Sequence, residues 1–342
     1  MKAIQFLKPK EIRIIDLPAP ESPGPGEALV RTHTMGICGT DISGYLGKMP
    51  FFGYPRIPGH ELGLEVLAIG PEVTNVRVGD RCSLEPYLNN PDSPTSRRGT
   101  GNCCPDIQVL GVHIDGGLRR EWICPARKLH PGNALSYNQL ALVETLAIGY
   151  HAVQRGNPQP GDTVLVVGAG PIGLACLEFL KLMDVTVIVM DMNEERLRFC
   201  TEKLGVTRTV QVGSEVSPVD QLASLTDNVM ANLVIDATGS AKSMSACLEY
   251  AAFAGRVVYV GITADELVFP HAPVFHRREL TLLASRNALP EDFRQIIDII
   301  DEGKIDTDKW ITHRFGFDET PEIFPRFGNG FPGLIKAVIE LD

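Results

Sequence analysis

The sequence predicts an α/β protein in which a doubly wound parallel sheet is joined to a second domain of antiparallel β-structure. Two observations carry this prediction. From about residue 161 to residue 285, short apolar runs alternate with helical patterns, and such alternation implies parallel strands with helices on both faces. Before residue 147, the apolar runs are short and separated by Gly and Pro, which is typical of antiparallel strands. A length of 342 residues also favours two domains. We place one domain at 147–285 and assign 1–146 with 286–342 to the other.

The individual elements follow from these patterns. In the first part, strands are predicted at 12–17, 28–34, 62–69, 80–84 and 118–124. In the alternating part, strands are predicted at 163–168, 185–190, 232–236, 256–260 and 279–284, and helices at 171–183, 193–204, 240–253 and 271–277. A helix at 291–302, a strand at 311–315, a further helix and a last strand at 334–341 are expected to return to the first domain. The polar stretch 87–106 is predicted to be a long surface loop.

The segment 163–173, TVLVVGAGPIG, predicts a dinucleotide-binding turn between a buried strand and a helix. Its glycines let backbone N–H groups approach a pyrophosphate at the helix N-terminus. Asp191 follows at the end of the next apolar run, where its carboxylate can accept both ribose hydroxyls and would repel a 2′-phosphate. The cofactor is therefore expected to be NAD rather than NADP; the alternative is an ordinary strand–turn–helix. The expected cofactor contacts here are Gly168, Gly170, Pro171, Ile172, Gly173, Asp191, Met192 and Arg196.

Composition excludes several classes of protein. Apolar residues make up 44% of the chain and charged residues 22%, which is ordinary for a globular protein. A net charge of −10 argues against nucleic acid or an anionic membrane as the main partner. No apolar run is long enough to span a bilayer and the N-terminus has no signal-peptide core, so a cytoplasmic location is expected. The eight scattered cysteines are expected to be buried thiols or metal ligands.

Three segments of the β-rich part carry potential metal ligands: Cys38 in GICGTD, His60 in GHE and Glu144 in ALVET. Each alone has a structural explanation, because a lone Cys is usually a small buried hydrophobe and a Glu near a helix start can complement the dipole. Together they supply one sulfur, one nitrogen and one oxygen donor, which leaves a fourth tetrahedral position open for water or substrate.

In this order, GICGTD, GHE, ALVE, VLVVGAGPIG and Asp191 resemble the zinc-dependent medium-chain alcohol dehydrogenases over essentially the whole chain. The resemblance implies a GroES-like β-domain and a Rossmann domain with the active site between them. It also implies one catalytic Zn²⁺ per chain, bound by Cys38, His60 and Glu144. A glutamate at the third position is similar to the polyol and threonine dehydrogenase branch. Further roles are implied for Glu61, which can swing toward the metal, for Asp41, which orients the histidine, and for Thr40, which relays the substrate proton.

The chain also departs from the family pattern. The spacing of the family's structural zinc ligands falls on Asn90, Ser93, Ser96 and Cys104. A closed zinc site needs four strong donors, so we expect no structural zinc. Two other departures lie nearer the chemistry. Ser43 stands where many relatives carry the outer histidine of the proton relay, and Leu64 stands where glycine is usual.

The resemblance extends to further binding residues. The ends of two later strands, with Thr238 and Gly239 in one and Val260, Gly261 and Ile262 in the other, match cofactor-binding positions. Lys336 matches a residue that reaches the pyrophosphate, with a solvated lysine as the alternative. Arg56, Arg286 and Asn287 are candidate substrate contacts, although both arginines could be ordinary surface residues.

The segments GVHIDGG, ASRNALPEDF and EGKI…THR are similar to bacterial sugar-acid oxidoreductases of the L-galactonate type. The sequence therefore predicts a zinc-dependent enzyme that transfers a hydride from a secondary alcohol of a polyol or sugar acid to NAD. The alternatives are a zinc-free NAD(P)H quinone or enoyl reductase of the same fold and a non-catalytic NAD-binding relative. We expect a homodimer or homotetramer built by pairing sheet edges through Val257–Val260, with no nucleic acid or membrane as partner.

Overall fold

The computed structural model describes residues 1–49, 52–328 and 330–341. By its internal contacts the chain forms two compact units, 1–144 with 289–342 and 145–288. The division predicted from sequence texture lay at 146/147 and 285/286. The long helix α3 begins in the first unit and ends in the second.

The first unit is built mainly of antiparallel strands. Its strands are β1 (Lys2–Lys8), β2 (Glu11–Asp16), β3 (Glu27–Gly36), β4 (Glu61–Ile69), β5 (Arg81–Leu84), β6 (Tyr87–Leu88), β7 (Gln108–Val109), β8 (Glu121–Pro125) and β9 (Leu129–Pro131), and later β16 (Ile311–Gly316) and β17 (Lys336–Glu340). Its helices are α1 (Gly39–Tyr45), α2 (Pro94–Arg97), the start of α3 (Tyr137–Gly156), α8 (Pro290–Asp301) and α9 (Thr320–Phe327). The main sheet has the order β16-β17-β3-β4-β5-β9, with β8 also paired to β3.

Strand β3 is the centre of this sheet. Its residues alternate between buried and half-buried along most of its length, as expected for a strand with one face on the core. Buried Thr32 accepts a hydrogen bond from the indole N–H of Trp122 at 3.0 Å. At its carboxyl end β3 pairs with the start of β4 and with β17. The chain segments that carry Cys38, His60 and Lys336 therefore meet at this edge of the unit.

The second unit contains a six-stranded, all-parallel sheet. Its strands are β10 (Thr163–Val167), β11 (Thr186–Asp191), β12 (Arg208–Gln211), β13 (Ala231–Asp236), β14 (Ala251–Tyr259) and β15 (Thr281–Ala284). Its helices are α4 (Pro171–Leu180), α5 (Glu194–Leu204), α6 (Pro218–Leu225) and α7 (Ala241–Tyr250), with a short π-helical turn at His271–His276. The sheet order is β12-β11-β10-β13-β14-β15. The chain reverses direction across the sheet between β10 and β13, and in such folds ligands bind beyond the carboxyl ends of the strands at this point.

The α/β fold class predicted from the sequence is confirmed, and several details are corrected. Strand β12 was missed. The helix predicted over 240–253 ends at Tyr250, and residue 251 begins β14 through its pairing with Ala231; an alanine-rich segment carries no periodicity that separates these two outcomes. The predicted pairing edge, Val257–Val260, is also wrong because Val257 and Val258 are buried and β14 lies between β13 and β15. The edge strand on that side is β15.

The stretch 87–106 is more ordered than the predicted surface loop. It contains β6, α2 and a 3₁₀ turn, and it buries Tyr87, Ser93 and Cys104. Over the described part of the chain, no helix is both long and apolar enough to cross a bilayer.

Candidate active site

Cys38 lies at the N-cap of α1, directly after β3. Its backbone N–H donates to Asp41 Oδ2 at 3.0 Å, and its Sγ accepts from the backbone N–H of Thr40 at 3.4 Å. This reciprocal cap fixes the thiol at the start of the helix. Thr40 and Ser43 are both half-buried on the same helix, three residues apart, so their side chains lie on one face.

His60 follows Gly59, whose backbone has a left-handed φ of +104°. A Cβ on Gly59 would lie 2.9 Å from Met35 Sδ, and a Cβ on Gly116 would lie 2.3 Å from the carbonyl oxygen of Gly59. The glycines of the GVHIDGG segment therefore allow two stretches of backbone to pack directly against each other. This packing presents His60 and Glu61 at the start of β4.

Cys38, His60 and Glu61 form one cluster, in which His60 and Glu61 are buried and Cys38 is half-buried. Their ligand atoms all lie within 4.8 Å of one another. Asp41 is fully buried beneath the histidine, with its Oδ1 3.6 Å from His60 Nδ1. Burial alone lowers the pKa of His60, but the negative charges of Asp41 and Cys38 outweigh it and raise that pKa well above its ordinary value. Burial also raises the pKa of Asp41.

Glu144 lies beside this cluster, close enough for its carboxyl to interact with the charges of His60 and Glu61, although it is more than 80 residues further along the chain. It is 5% exposed, and burial raises the pKa of its carboxyl while the charges of His60 and Lys336 oppose that rise. The hydroxyl of Tyr87 donates a hydrogen bond to Glu144 Oε1 at 2.5 Å.

Lys336 is 2% exposed, so the alternative of a solvated lysine is wrong. Its Nζ lies 2.6 Å from Glu61 Oε1 and 2.5 Å from Oε2. Burial alone lowers the pKa of Lys336, and the carboxylate of Glu61 raises it, with a net rise. The predicted contact between Lys336 and a pyrophosphate stays a prediction.

This donor set suits a divalent cation. Three carboxyl groups, from Asp41, Glu61 and Glu144, are buried around the half-buried thiol of Cys38. Within the described residues the cations beside them are Lys336 and, when protonated, His60. Buried negative charge is unfavourable unless it is paired or bound to a metal. Among the described residues, neither His60 Nδ1 nor Asp41 Oδ1 has a hydrogen-bond partner. Sulfur, imidazole nitrogen and carboxylate oxygen are the donors that Zn²⁺ takes in catalytic sites.

The lobe expected to have lost a structural zinc is held by hydrogen bonds. Ser93 Oγ caps α2 by accepting from the backbone N–H of Ser96 at 3.2 Å, and it donates to Ser96 Oγ at 2.9 Å. Cys104 is fully buried, and hydrogen bonds from Ser93 and from the backbone of Asn90 lower the pKa of its thiol. The four predicted positions therefore still lie together, and the absence of zinc there stays a prediction. Leu64 is buried in the core of the same unit.

In the second unit, the glycine turn joins β10 to α4. Gly168 has a φ of +100°, Gly170 caps α4 and Pro171 is its first residue. A Cβ on Gly173 would lie 1.7 Å from the carbonyl oxygen of Gly168, so only glycine allows the helix to pack this closely on the turn. Ile172 is half-buried in the first turn of the same helix.

Asp191 ends β11 beside this turn. Its Oδ2 accepts from the backbone N–H of Ala169 at 2.6 Å and its Oδ1 from that of Asn193 at 2.7 Å. The carboxylate is thus fixed in orientation with lone pairs still available. Arg196 lies close to the glycine turn, with its Nη1 3.7 Å from the position that a Cβ on Gly170 would take. Met192 is exposed.

The turns after β13 and β14 meet closely. A Cβ on Gly261 would lie 2.2 Å from the backbone nitrogen of Gly239. The hydroxyl and the backbone N–H of Thr238 both donate hydrogen bonds to Asp236 Oδ1, each at 3.0 Å. The backbone N–H of Val260 donates to the Asp236 carbonyl. Ile262 is exposed beyond them. Apart from Lys336, which belongs to the first unit, the residues predicted to bind the cofactor therefore lie around the carboxyl ends of β10, β11, β13 and β14.

The candidate substrate residues are less well defined. The guanidinium of Arg56 lies 3.1 Å from Asp115 Oδ1, in the first unit. Arg286 is exposed and Asn287 half-buried with a φ of +53°, just after β15 in the second unit. Their contacts with a substrate stay predictions.

Sequence reasoning missed Tyr87 entirely and missed the partner of Lys336. Tyr87 opens a polar stretch and was included in the predicted loop, although a tyrosine directly after a buried strand is a candidate for a buried ring with a hydrogen-bonded hydroxyl.

The two units and their sites define a nucleotide-binding oxidoreductase with a metal-ligand cluster, and comparison with known proteins agrees. The model for the alcohol dehydrogenase GroES-like domain matches residues 24–134, and that for the zinc-binding dehydrogenase domain matches 171–302. The chain is 37% identical over 317 residues to L-galactonate-5-dehydrogenase of Escherichia coli K12, covering 93% of this chain and 92% of that protein. It is 32% identical to D-altritol 5-dehydrogenase of Agrobacterium fabrum, covering 95% and 96% of the two chains.

Among solved structures, the RspB alcohol dehydrogenase from Escherichia coli CFT073, complexed with NADH, superimposes with a TM-score of 0.91 at 30% identity, covering 99% of each chain. The chain therefore belongs to the zinc-binding alcohol dehydrogenase family and is an oxidoreductase.

Proposed function

We propose that this protein is a zinc-dependent dehydrogenase that transfers a hydride from a secondary alcohol of a polyol or sugar acid to NAD. The observation that carries the proposal is the convergence of Cys38, His60 and Glu61, with Glu144 beside them, in one cluster of sulfur, nitrogen and oxygen donors. The names of the relatives, L-galactonate-5-dehydrogenase and D-altritol 5-dehydrogenase, support a hydroxylated substrate.

Cys38, His60 and a carboxylate would hold the metal, and Asp41 would orient the imidazole. When bound, Zn²⁺ supplies Lewis-acid stabilisation of the negative charge that develops on the substrate oxygen. Thr40 is placed on α1, two residues after the thiol, where its hydroxyl can accept and pass on the substrate proton. Ser43 lies on the same face of α1 and can carry that proton further toward solvent. The carboxylate of Asp191 would accept hydrogen bonds from the two hydroxyls of the adenosine ribose and would exclude a 2′-phosphate.

The direct test is reduction of NAD⁺, followed by NADH absorbance, over a panel of sugar acids and polyols. We expect activity with at least one secondary alcohol of this class and a preference for NAD⁺ over NADP⁺. Activity confined to NADPH-dependent reduction of quinones or enones, in protein without zinc, would support the zinc-free alternative instead. A non-catalytic relative would bind NADH but turn over no member of the panel.

We also propose that the protein is a homodimer or homotetramer whose subunits pair through β15. This strand ends the parallel sheet, so its outer edge has unpaired backbone groups within the described chain. Leu282 on this strand is 37% exposed. Light scattering after size exclusion should give a dimer or tetramer for the native protein and a smaller species for Leu282→Lys. Val229→Lys, at another exposed apolar position, is the control and should leave the mass unchanged. A monomeric native protein would contradict this proposal.

A further inference from the structure

Tyr87 is a buried tyrosine whose hydroxyl contacts a residue of the candidate metal site. It is 3% exposed, and its OH donates to Glu144 Oε1 at 2.5 Å. The ring is held edge-on against Phe293, with 6.3 Å between the ring centroids. Phe293 itself is fully buried and stacks on His130. The direction of the Tyr87 hydroxyl is therefore fixed by packing rather than by solvent.

The layer behind Tyr87 is also fixed. Glu85, two residues earlier, is buried and paired with Lys128 and with His130 Nε2, the latter at 3.2 Å. The strand and turn that carry Tyr87 are thus held by a buried ion pair and a stacked ring. Such a surrounding keeps a functional side chain in one position.

We propose that Tyr87 is a positioning residue for Glu144. Its hydrogen bond holds Oε1 and thereby sets the orientation of the carboxylate, whose remaining lone pairs can bind a cation. Glu61 is held differently, because both of its oxygens lie on Lys336 Nζ. The two carboxylates are therefore not equivalent: Glu144 is oriented by a neutral donor that leaves its charge for the metal, while the charge of Glu61 is already paired. The inference rests on the proposed function, since it requires that Glu144 contributes to a metal site.

The test compares Tyr87→Phe with the native protein in Co²⁺ binding, measured by chelator competition and by the visible absorption of the bound ion. Removal of an outer partner of a metal ligand typically weakens metal affinity by about 10–100-fold, and we expect a loss in this range together with a changed cobalt spectrum. Tyr45→Phe is the matched control, because Tyr45 is also buried. Its hydroxyl donates to the Lys10 carbonyl at 3.2 Å, which is not part of the metal-ligand cluster. This control should change neither readout.

A second background separates positioning from folding. In Glu144→Gln protein, the further change Tyr87→Phe should have little effect on Co²⁺ affinity, because the residue through which Tyr87 acts no longer carries the donor charge. A lower melting temperature for Tyr87→Phe with native affinity and spectrum would overturn the inference and leave the proposed function intact. Native affinity in Glu144→Gln would also overturn it. Native protein that binds neither Co²⁺ nor Zn²⁺ would overturn both.

Discussion

Replacing Lys336 with methionine tests how the buried charges around Cys38 and His60 are balanced. Lys336 and Glu61 are 2% and 1% exposed, and the ammonium nitrogen lies within 2.6 Å of both carboxylate oxygens. Removing one partner of such a pair leaves a stranded buried charge, which typically costs about 3–5 kcal/mol. The loss of stability has an upper limit, because the stranded carboxylate can take up a proton instead. For an ordinary glutamate at pH 7 this protonation costs about 3.7 kcal/mol.

We therefore expect Lys336→Met to lower the free energy of unfolding of the metal-free protein by about 3–4 kcal/mol, measured by urea unfolding in the presence of a chelator. A bound cation supplies a second positive partner for Glu61, so the loss should be smaller for the zinc-loaded protein. The double variant Lys336→Met with Glu61→Gln should recover most of the loss, because no charge is then left unpaired. Lys309→Met removes an exposed ion pair at 3.3 Å and should leave the unfolding curve unchanged. Native stability of metal-free Lys336→Met would refute this account of the charge balance.

Four further outcomes are expected. Glu144→Ala should abolish turnover while the Kd for NADH, measured by fluorescence, stays near the native value; unchanged turnover would leave Glu61 as the third ligand. Asp191→Ser should lower the ratio of kcat/KM for NAD⁺ over NADP⁺ by roughly 10–100-fold, since hydrogen bonds to a charged group are worth about 1.5–3 kcal/mol, and an unchanged ratio would remove Asp191 from cofactor selection. Gly173→Ala should cost about 1–3 kcal/mol of stability and weaken NADH binding, because its Cβ would lie 1.7 Å from the Gly168 carbonyl oxygen; full NADH affinity would contradict the packing argument. Burial raises the pKa of Asp236, so its contribution to stability should fall as pH rises from the ordinary aspartate pKa through the raised one, and Asp236→Asn should remove that slope from urea unfolding measured across this pH range.

The sequence predicted most of what depends on local pattern. The spacing of residues predicts the strand–turn–helix at 163–173 and the acidic residue at 191. The structure has β10, α4 and Asp191 in those places. The segments of Cys38 and His60 were identified for a similar reason, because each lies in a short glycine-containing motif next to a strand. Membership of the family followed from the order of these motifs and is confirmed by the relatives.

What the sequence could not predict depends on packing between distant segments. Nothing near Lys336 in the chain indicates that its ammonium group lies on Glu61, 275 residues earlier. Tyr87 was assigned to a loop because its neighbours are polar, whereas its burial is set by Phe293. The edge of the parallel sheet was misplaced because β14 and β15 are both short apolar runs, and only the strand order shows which one has a neighbour on each side.

The metal content of the purified protein tests the central claim most directly. Inductively coupled plasma mass spectrometry should find about one zinc per native chain and much less in Cys38→Ser, in which a weak hydroxyl donor replaces the thiolate. A value near two would mean that the lobe around Cys104 also binds zinc. Native protein that contains no zinc, and takes up none when zinc is supplied, would contradict the claim that the thiol of Cys38 and the buried imidazole and carboxylates form a catalytic metal site.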